Sequence, residues 1–194
     1  EARVSESRSD GYLDRATSNL RSMGLTATYL TEKSIWKAVV LTGAERTYQA
    51  WYGVPHELAF GQGTQAVLDF AGRNGLSESE TQNLLNSGRN YNYYTYPNQV
   101  DQYRQHHQQL HYRVSKDNSE MHAAVFHTRG AGYFEEQKLQ TSVYNYGWGG
   151  IYSVIDADTT ITEIVDVVRR RWLNNHLWGA TVDQTWHTGN HQLK

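Results

Sequence analysis

The sequence predicts an α+β fold, a single domain built on a mainly antiparallel sheet. Three helical regions accompany the sheet: an N-terminal helix, a central helical insert and a long C-terminal helix at about 161–175. Apolar residues recur at helical spacing in these regions, and shorter segments between them alternate apolar with polar residues. Neither an internal repeat nor a change in composition marks a boundary. We therefore expect residues 1–194 to form one globular domain.

The first two helical regions are predicted by apolar spacing together with signals at their ends. Apolar side chains three to four positions apart predict a helix over residues 10–23, which Gly24 would end. A short apolar helix is predicted over residues 65–73. Ser77 and Glu80 then have the spacing of a capping box, which begins the second helix of the insert.

The C-terminal helix is predicted by an apolar stripe over about 161–175. Thr160 and Glu163 have the spacing of a capping box at its start. Asp166 and Arg170 stand four residues apart, so they would form a favourable ion pair on the outer face of a helix.

The segments that alternate apolar and polar residues predict the strands of the sheet. Three strands are expected at about 25–31, 35–42 and 46–52, with a loop of hairpin length around Gly43. Residues 89–98 are polar, aromatic and irregular, which is typical of an exposed loop.

Composition and charge exclude several classes of function. The formal net charge is −2 and no long basic run occurs, so binding to bulk DNA is not expected. No apolar stretch is long enough to predict a membrane span. The chain has no cysteine, which excludes disulfides and thiolate chemistry. No motif predicts a cofactor or a metal site. The chain begins at Glu1, without a methionine or an apolar signal core, which we interpret as the start of a mature or engineered product and which is compatible with secretion.

Three histidines crowd the stretch HHQQLH at residues 106–111, which we interpret as the junction between a helix and a hairpin strand. If the turn after this strand holds an even number of residues, Arg113 faces His122 and His111 lies diagonally beside them. Such a patch could bind a phosphate and supply an acid and a base, because imidazole titrates near neutrality. An odd turn would separate the residues, and polar side chains on the solvent side of an ordinary hairpin are the alternative.

Tyrosine and tryptophan are abundant, with 14 Tyr and six Trp against only four Phe. Such side chains offer a flat apolar face beside a hydrogen-bonding edge, which suits a binding surface. The alternative is that they pack the sheet and cover its edges. The ligand-binding candidates in the two richest segments are Tyr93, Tyr94, Tyr96, Tyr146 and Trp148.

These observations favour a secreted, cysteine-free recognition protein, such as a toxin or an effector, that binds a cell-surface glycan or protein through a Tyr/Trp-rich surface. One alternative is a metal-independent phosphodiesterase or ribonuclease with His111 and His122 as acid and base and Arg113 on the phosphate. A self-assembling coat or matrix subunit is a further alternative, since aromatic and amide-rich surfaces suit subunit contacts. The sequence leaves open whether the chain is an enzyme and what its oligomeric state is.

Overall fold

The computed structural model describes the backbone of residues 1–148, 151–155, 158–189 and 191–194, and their side chains except in 151–162. Within these ranges the chain forms a seven-stranded antiparallel sheet, a separate two-stranded hairpin, three short α-helices and two 3-10 helices (Gly88–Asn90 and Val143–Tyr146). The strands are β1 (Ala2–Ser9), β2 (Ser18–Leu30), β3 (Ser34–Tyr48), β4 (Val100–Lys116), β5 (Ser119–Ser142), β6 (Ile151–Ile155), β7 (Asp158–Thr162), β8 (Ile164–Thr188) and β9 (His191–Leu193). The helices are α1 (His56–Ala59), α2 (Thr64–Arg73) and α3 (Glu78–Ser87).

The seven-stranded sheet is a meander of long strands. Its order is β1-β2-β3-β4-β5-β8-β9, and β6 and β7 form the small hairpin between β5 and β8. Strands β5 and β8 have 24 and 25 residues, which corresponds to about 80 Å of extended chain. They pair over almost their whole length, with one shift of register between Lys138 and Thr141.

The sheet has two ends that differ in their surroundings. The end with the β2–β3 and β4–β5 turns is called the turn end, and the opposite end, where Tyr48 and Val100 pair, is called the insert end because residues 49–99 leave the sheet there.

The predicted C-terminal helix is wrong, because residues 164–188 form strand β8. Arg170 reaches across to Glu135 on β5 instead of pairing with Asp166 along a helix. Asp166 accepts a hydrogen bond from the backbone of Gln140 at 2.8 Å. The carboxylate of Glu163 accepts from Tyr144 at 3.0 Å. The β-branched residues of this segment suit a strand, and contacts with β5 far away in sequence select it.

The predicted N-terminal helix is also wrong, since β2 begins at Ser18 and Gly24 lies in its middle. Strand β3 runs without interruption through Gly43, so the hairpin loop expected there does not exist. The β2–β3 turn lies instead at residues 31–33, where the backbone N–H of Thr31 bonds the carbonyl of Ser34 at 2.8 Å. With 59% of residues in strands and 17% in helices, the α+β description with a long helix is wrong, whereas the mainly antiparallel sheet is confirmed.

The helical insert is confirmed, with α2 and α3 close to their predicted positions. Ser77 and Glu80 form the expected capping box: Ser77 Oγ accepts from the Glu80 backbone at 3.3 Å, and the Ser77 backbone donates to Glu80 Oε2 at 2.8 Å. The hydrophobic cluster of buried residues lies in this insert and consists of Val67, Ala71, Leu84 and Tyr91. Tyr91 and Asn92 are buried, so the prediction of an exposed loop over 89–98 is wrong at these two positions.

The sheet itself is a single layer with two different faces. Residues directly opposite one another on paired strands share a face. At the turn end, the polar face carries Lys37, His107, Gln109, His111, Arg113, His122, Thr181 and Asp183. The apolar face carries Tyr29, Trp36, Ala38, Leu110, Val125 and Val182. Large apolar side chains stay exposed on this face, as for Tyr29 at 68% and Val182 at 70%.

No helix among the described residues combines the length and the apolar composition that crossing a bilayer requires.

The close pairing of β4 with β5 requires glycine at position 132. A methyl group on Gly132 would collide with backbone atoms of Gln102 and Tyr103, which cannot move without breaking the ladder. We expect Gly132→Ala to lower the free energy of unfolding by about 1–3 kcal/mol through overpacking. Gly43→Ala is the matched control, because a methyl group there meets only Arg21 O at 3.9 Å. Urea unfolding of both variants tests this, and equal midpoints would contradict it.

Candidate functional site

Two groups of side chains are candidates for function, and the first lies on the polar face. Strands β4 and β5 are joined by a two-residue turn, Asp117 and Asn118, so the number of turn residues is even. Arg113 therefore pairs with His122, and His111 lies on the same face two residues away. The stretch HHQQLH lies wholly within β4, so its interpretation as a helix–strand junction is wrong.

The histidines belong to a chain of side-chain contacts that we call the histidine ladder, made of His107, Gln109, His111, His122 and Thr128. His122 Nε2 lies 3.3 Å from His111 Nδ1. His111 Nε2 lies 2.8 Å from Gln109 Oε1, and Gln109 Nε2 lies 2.6 Å from His107 Nε2. The ladder ends where His107 Nδ1 meets Thr128 Oγ1 at 2.5 Å.

The hydrogen-bonding roles in the ladder follow from its glutamine. Gln109 Nε2 can only donate and its Oε1 can only accept, so His107 carries its proton on Nδ1 and His111 carries one on Nε2. His111 Nδ1 then accepts from His122 Nε2. Asp183 Oδ2 lies 3.3 Å from His122 Nδ1. The protonated form of His122 can therefore donate towards His111 and face the Asp183 carboxylate at the same time.

The charges around the ladder balance one another. Arg113 forms an ion pair with Glu120 at 2.9 Å, and Lys37 and Asp183 line the same open groove. Arg113 and His122 are both partly exposed to solvent. This arrangement can exchange a proton between neighbouring imidazoles, whereas the positive charge of Arg113 is already matched by Glu120. The catalytic roles assigned to His111, Arg113 and His122 stay predictions.

A second histidine pair lies between β5 and β8 and was missed from the sequence. His127 Nε2 lies 3.1 Å from His176 Nδ1, and its ring stacks on Trp178 with centroids 3.8 Å apart. Only the pairing of distant strands brings these residues together. Across the part of the chain that the structure describes, no three His, Cys, Asp or Glu side chains are arranged to hold a metal ion.

The second candidate site is an exposed group of four rings at the insert end, called the aromatic cluster: Trp51, Tyr52, Tyr93 and Tyr94. Tyr52 and Tyr93 have centroids 4.5 Å apart, and Tyr94 packs edge-on against Tyr52 at 5.5 Å. Trp51 meets Tyr94 edge-on at 6.4 Å. The structure thus brings together two predicted ligand-binding residues, Tyr93 and Tyr94, with two others that follow β3.

The side chain of Asn92 anchors the backbone that carries the aromatic cluster. Its buried amide group donates to the carbonyls of Asp14 at 2.9 Å and Gln49 at 3.1 Å, and its Oδ1 accepts from the backbone of Tyr94. Arg15 adds hydrogen bonds to the carbonyls of Asn92 and Tyr94. The backbone that carries the rings is therefore fixed from several distant segments.

Burial favours the neutral form of two tyrosines of the cluster, Tyr93 and Tyr94. Burial, with smaller contributions from Tyr52 and Glu136, raises the pKa of Tyr94 to about 12. Burial also raises the pKa of Tyr93. Both phenols consequently keep their protons at neutral pH and can donate hydrogen bonds at the edge of an apolar surface.

The other three predicted ligand-binding residues lie elsewhere. The Tyr96 hydroxyl donates to Glu135 at 2.7 Å, so this tyrosine supports a buried carboxylate. Tyr146 and Trp148 form a separate pair with centroids 5.8 Å apart, and the Arg169 guanidinium lies 6.0 Å from the Tyr146 ring. The structure therefore divides the five predicted residues among three places.

Two adjacent buried carboxylates, Glu135 and Glu136, join β5 to β8 beside the aromatic cluster. They point to opposite faces, where Glu135 binds Arg170 and Glu136 binds Arg169 and Lys138.

Comparison with protein-family models, with curated protein sequences and with solved structures finds no match to this chain.

The stability of the chain should depend on the ionisation of Glu135. Burial alone would raise the pKa of Glu135, but hydrogen bonds from Tyr96, Asn98 and Arg170 outweigh burial and lower it. The stabilisation is therefore complete above the pKa of an unfolded glutamate, about 4.3, and is lost as the pH falls through the lower folded value.

We expect Glu135→Gln to lose about 1–3 kcal/mol of stability at neutral pH and to lack this acid dependence. Urea unfolding measured across acidic and neutral pH tests both points, with Glu32→Gln as the control at an exposed turn. Parallel pH profiles for wild type and Glu135→Gln would contradict the assignment.

Proposed function

We propose that the chain is a recognition protein that binds a cell-surface glycan through the aromatic cluster. The observation that carries the proposal is the grouping of Trp51, Tyr52, Tyr93 and Tyr94 on a fixed backbone with their rings reachable from solvent. Trp51 and Tyr52 are 65% and 70% exposed, far more than large aromatic side chains that fill a core.

The chemistry of the cluster suits a sugar. A pyranose ring offers a flat patch of C–H groups and a rim of hydroxyls, and the cluster offers apolar ring faces with neutral phenol groups at their edges. The carboxylate of Glu136 and its partner Lys138 add an acceptor and a donor nearby. Aromatic side chains with few rotatable bonds also lose little entropy on binding.

A glycan ligand places the chain at a cell surface, and we accordingly propose a secreted or extracellular location. A toxin or an effector that docks on a host cell would use such a surface. A protein partner is the other ligand class that a cluster of Tyr and Trp would suit.

Binding to a printed glycan array tests the proposal. We expect Trp51→Ala and Tyr93→Ala to weaken binding to the glycans that wild type recognises by about 10-fold or more, because each removes a stacking face worth roughly 1–3 kcal/mol. Phe60→Ala is the matched control: it removes an exposed aromatic ring that contacts His56 instead of the cluster. Wild-type protein that binds no glycan, or cluster variants that bind as wild type does, would exclude the proposal.

A second candidate function is a metal-independent phosphodiesterase or ribonuclease, favoured by the contact of His111 with His122 and by Asp183 behind it. One imidazole would act as the base and the other as the acid.

Cleavage of single-stranded RNA in the presence of EDTA tests this candidate. We expect a bell-shaped dependence of the rate on pH, and at least about 100-fold loss of rate in His111→Ala and in His122→Ala. His106→Ala is the control, since His106 lies on the same strand and points to the other face. Activity retained in both single variants would exclude catalysis by this pair.

A further inference from the structure

The apolar face of the sheet is exposed in a way that a solitary compact protein does not explain. The accessible surface of the chain is 13655 Å². A compact monomer of this mass exposes roughly 9,400 Å², so the chain exposes roughly 4,200 Å² more. The excess is larger than one copy contributes to a standard protein interface, about 800 Å².

At the turn end, the apolar face carries no Asp, Glu, Lys or Arg over four rows, and His127 is the one titratable imidazole there. Three successive rows of side chains cross β2, β3, β4, β5 and β8, from the row of Leu25 and Trp178 to the row of Tyr29 and Val182, and a fourth row with Val114 and Gln184 crosses β3, β4, β5 and β8. All positions of these rows are described by the structure, and none is Asp, Glu, Lys or Arg. The rows cover about 24 by 27 Å, or roughly 650 Å², from strand spacing and rise. Four positions of the rows are polar, namely Ser34, Gln108, His127 and Gln184, and the whole area approaches the roughly 800 Å² that one copy contributes to a standard interface.

One row of this area has the shape of a ridge with a hollow on each side. Leu110 and Val125 are neighbours on β4 and β5 and form the ridge. Ala38 and Ala27 continue the row on β3 and β2, and Ala180 continues it on β8. Alanine is much smaller than leucine or valine, so these positions leave hollows beside the ridge.

We propose that a second copy of this chain covers the apolar face, so that two sheets pack face to face as a two-layer sandwich. A two-fold axis parallel to the strands, placed between ridge and hollow, would set the Leu110 and Val125 ridge of each copy into an alanine hollow of the other. An interface of this kind uses the same patch on both copies, and the absence of charge lets two identical patches meet without repulsion. Sheets packed in this way lie about 10 Å apart.

The arrangement leaves the other sites accessible. The histidine ladder lies on the polar face, which points outwards in the sandwich. Trp51 of the aromatic cluster packs on Phe134, whose position on β5 also belongs to the polar side. Two copies would therefore present two aromatic clusters, and binding to a surface with many ligands would gain avidity.

Sedimentation equilibrium of the full chain, measured over a wide range of concentration, tests the proposal. We expect a dimer, and we expect Val182→Glu to weaken dimerisation by about 100-fold or more, because it places an unpaired charge on the face that the second copy covers. Thr181→Glu is the matched control, since it adds the same charge at the next residue on the opposite face.

Cysteine protection provides a second measurement that does not depend on a charged variant folding. The chain has no cysteine, so a single introduced thiol is unique. Ala38 and Lys37 are adjacent, exposed and on opposite faces. We expect Ala38→Cys to react more slowly with a maleimide as the protein concentration rises, and Lys37→Cys to react at a constant rate.

Three results would overturn the proposal: a wild-type chain that stays monomeric at every concentration, an assembly that Val182→Glu and Thr181→Glu affect equally, or equal reactivity of the two cysteine variants. A monomer that floats with phosphatidylcholine vesicles would assign the face to lipid and would likewise overturn it. None of these results depends on glycan binding, so the proposed function can fail or stand separately.

Discussion

The backbone hydrogen-bond ladder of a single-layer sheet is the constraint on which the rest of this structure depends. Strands β5 and β8 satisfy each other's backbone groups along some two dozen residues, and β2, β3 and β4 extend the same ladder. A ladder of this kind fixes register and direction, but it buries little apolar surface unless another layer covers it. Over the described residues, the buried apolar cluster lies in the helical insert, and at its turn end the sheet shows both of its faces to solvent. Because the buried cluster and the sheet are separate, the rows of the sheet stay exposed and its side-chain sites lie open to solvent.

The elements that could be predicted from the sequence are those whose signals are local. The capping box at Ser77 needs only contacts three residues apart, and the insert that contains it was located correctly. The register of Arg113 against His122 depends on the parity of a short turn, which the sequence left open between even and odd. The helix predicted over 161–175 is wrong for the opposite reason, because the apolar spacing of this segment fits a helix and a strand alike. The pairs of Arg170 with Glu135 and Arg169 with Glu136 lie more than thirty residues apart, so no local signal contains them.

The same distinction between local and distant contacts explains what was missed in the two candidate sites. Tyr93 and Tyr94 could be predicted as surface aromatics from their polar neighbours. Trp51 and Tyr52 were assigned to a strand, and they join the cluster because β3 ends at Tyr48. In the histidine ladder, an even turn is the condition for His111 and His122 to share a face, and the two-residue turn meets the condition that the sequence left open. Asp183 joins the ladder from β8, and the sequence predicts a helix over the first half of this strand.

Over four rows at its turn end, the sheet has one face with charged side chains and one face without Asp, Glu, Lys or Arg, which separates binding from packing. The polar face can carry titratable groups because water remains on that side, and the balance of Arg113 with Glu120 costs little there. On the apolar face, the stabilisation that a monomer would obtain from its own second layer has to come from another surface. Folding and association are then linked: the free energy of unfolding rises with the concentration of whatever covers the face. The buried cluster holds four residues of the insert at 49–99, so the chain gains most from that linkage along its long strands. The separation of the ligand sites from the apolar rows allows that packing without obstructing recognition.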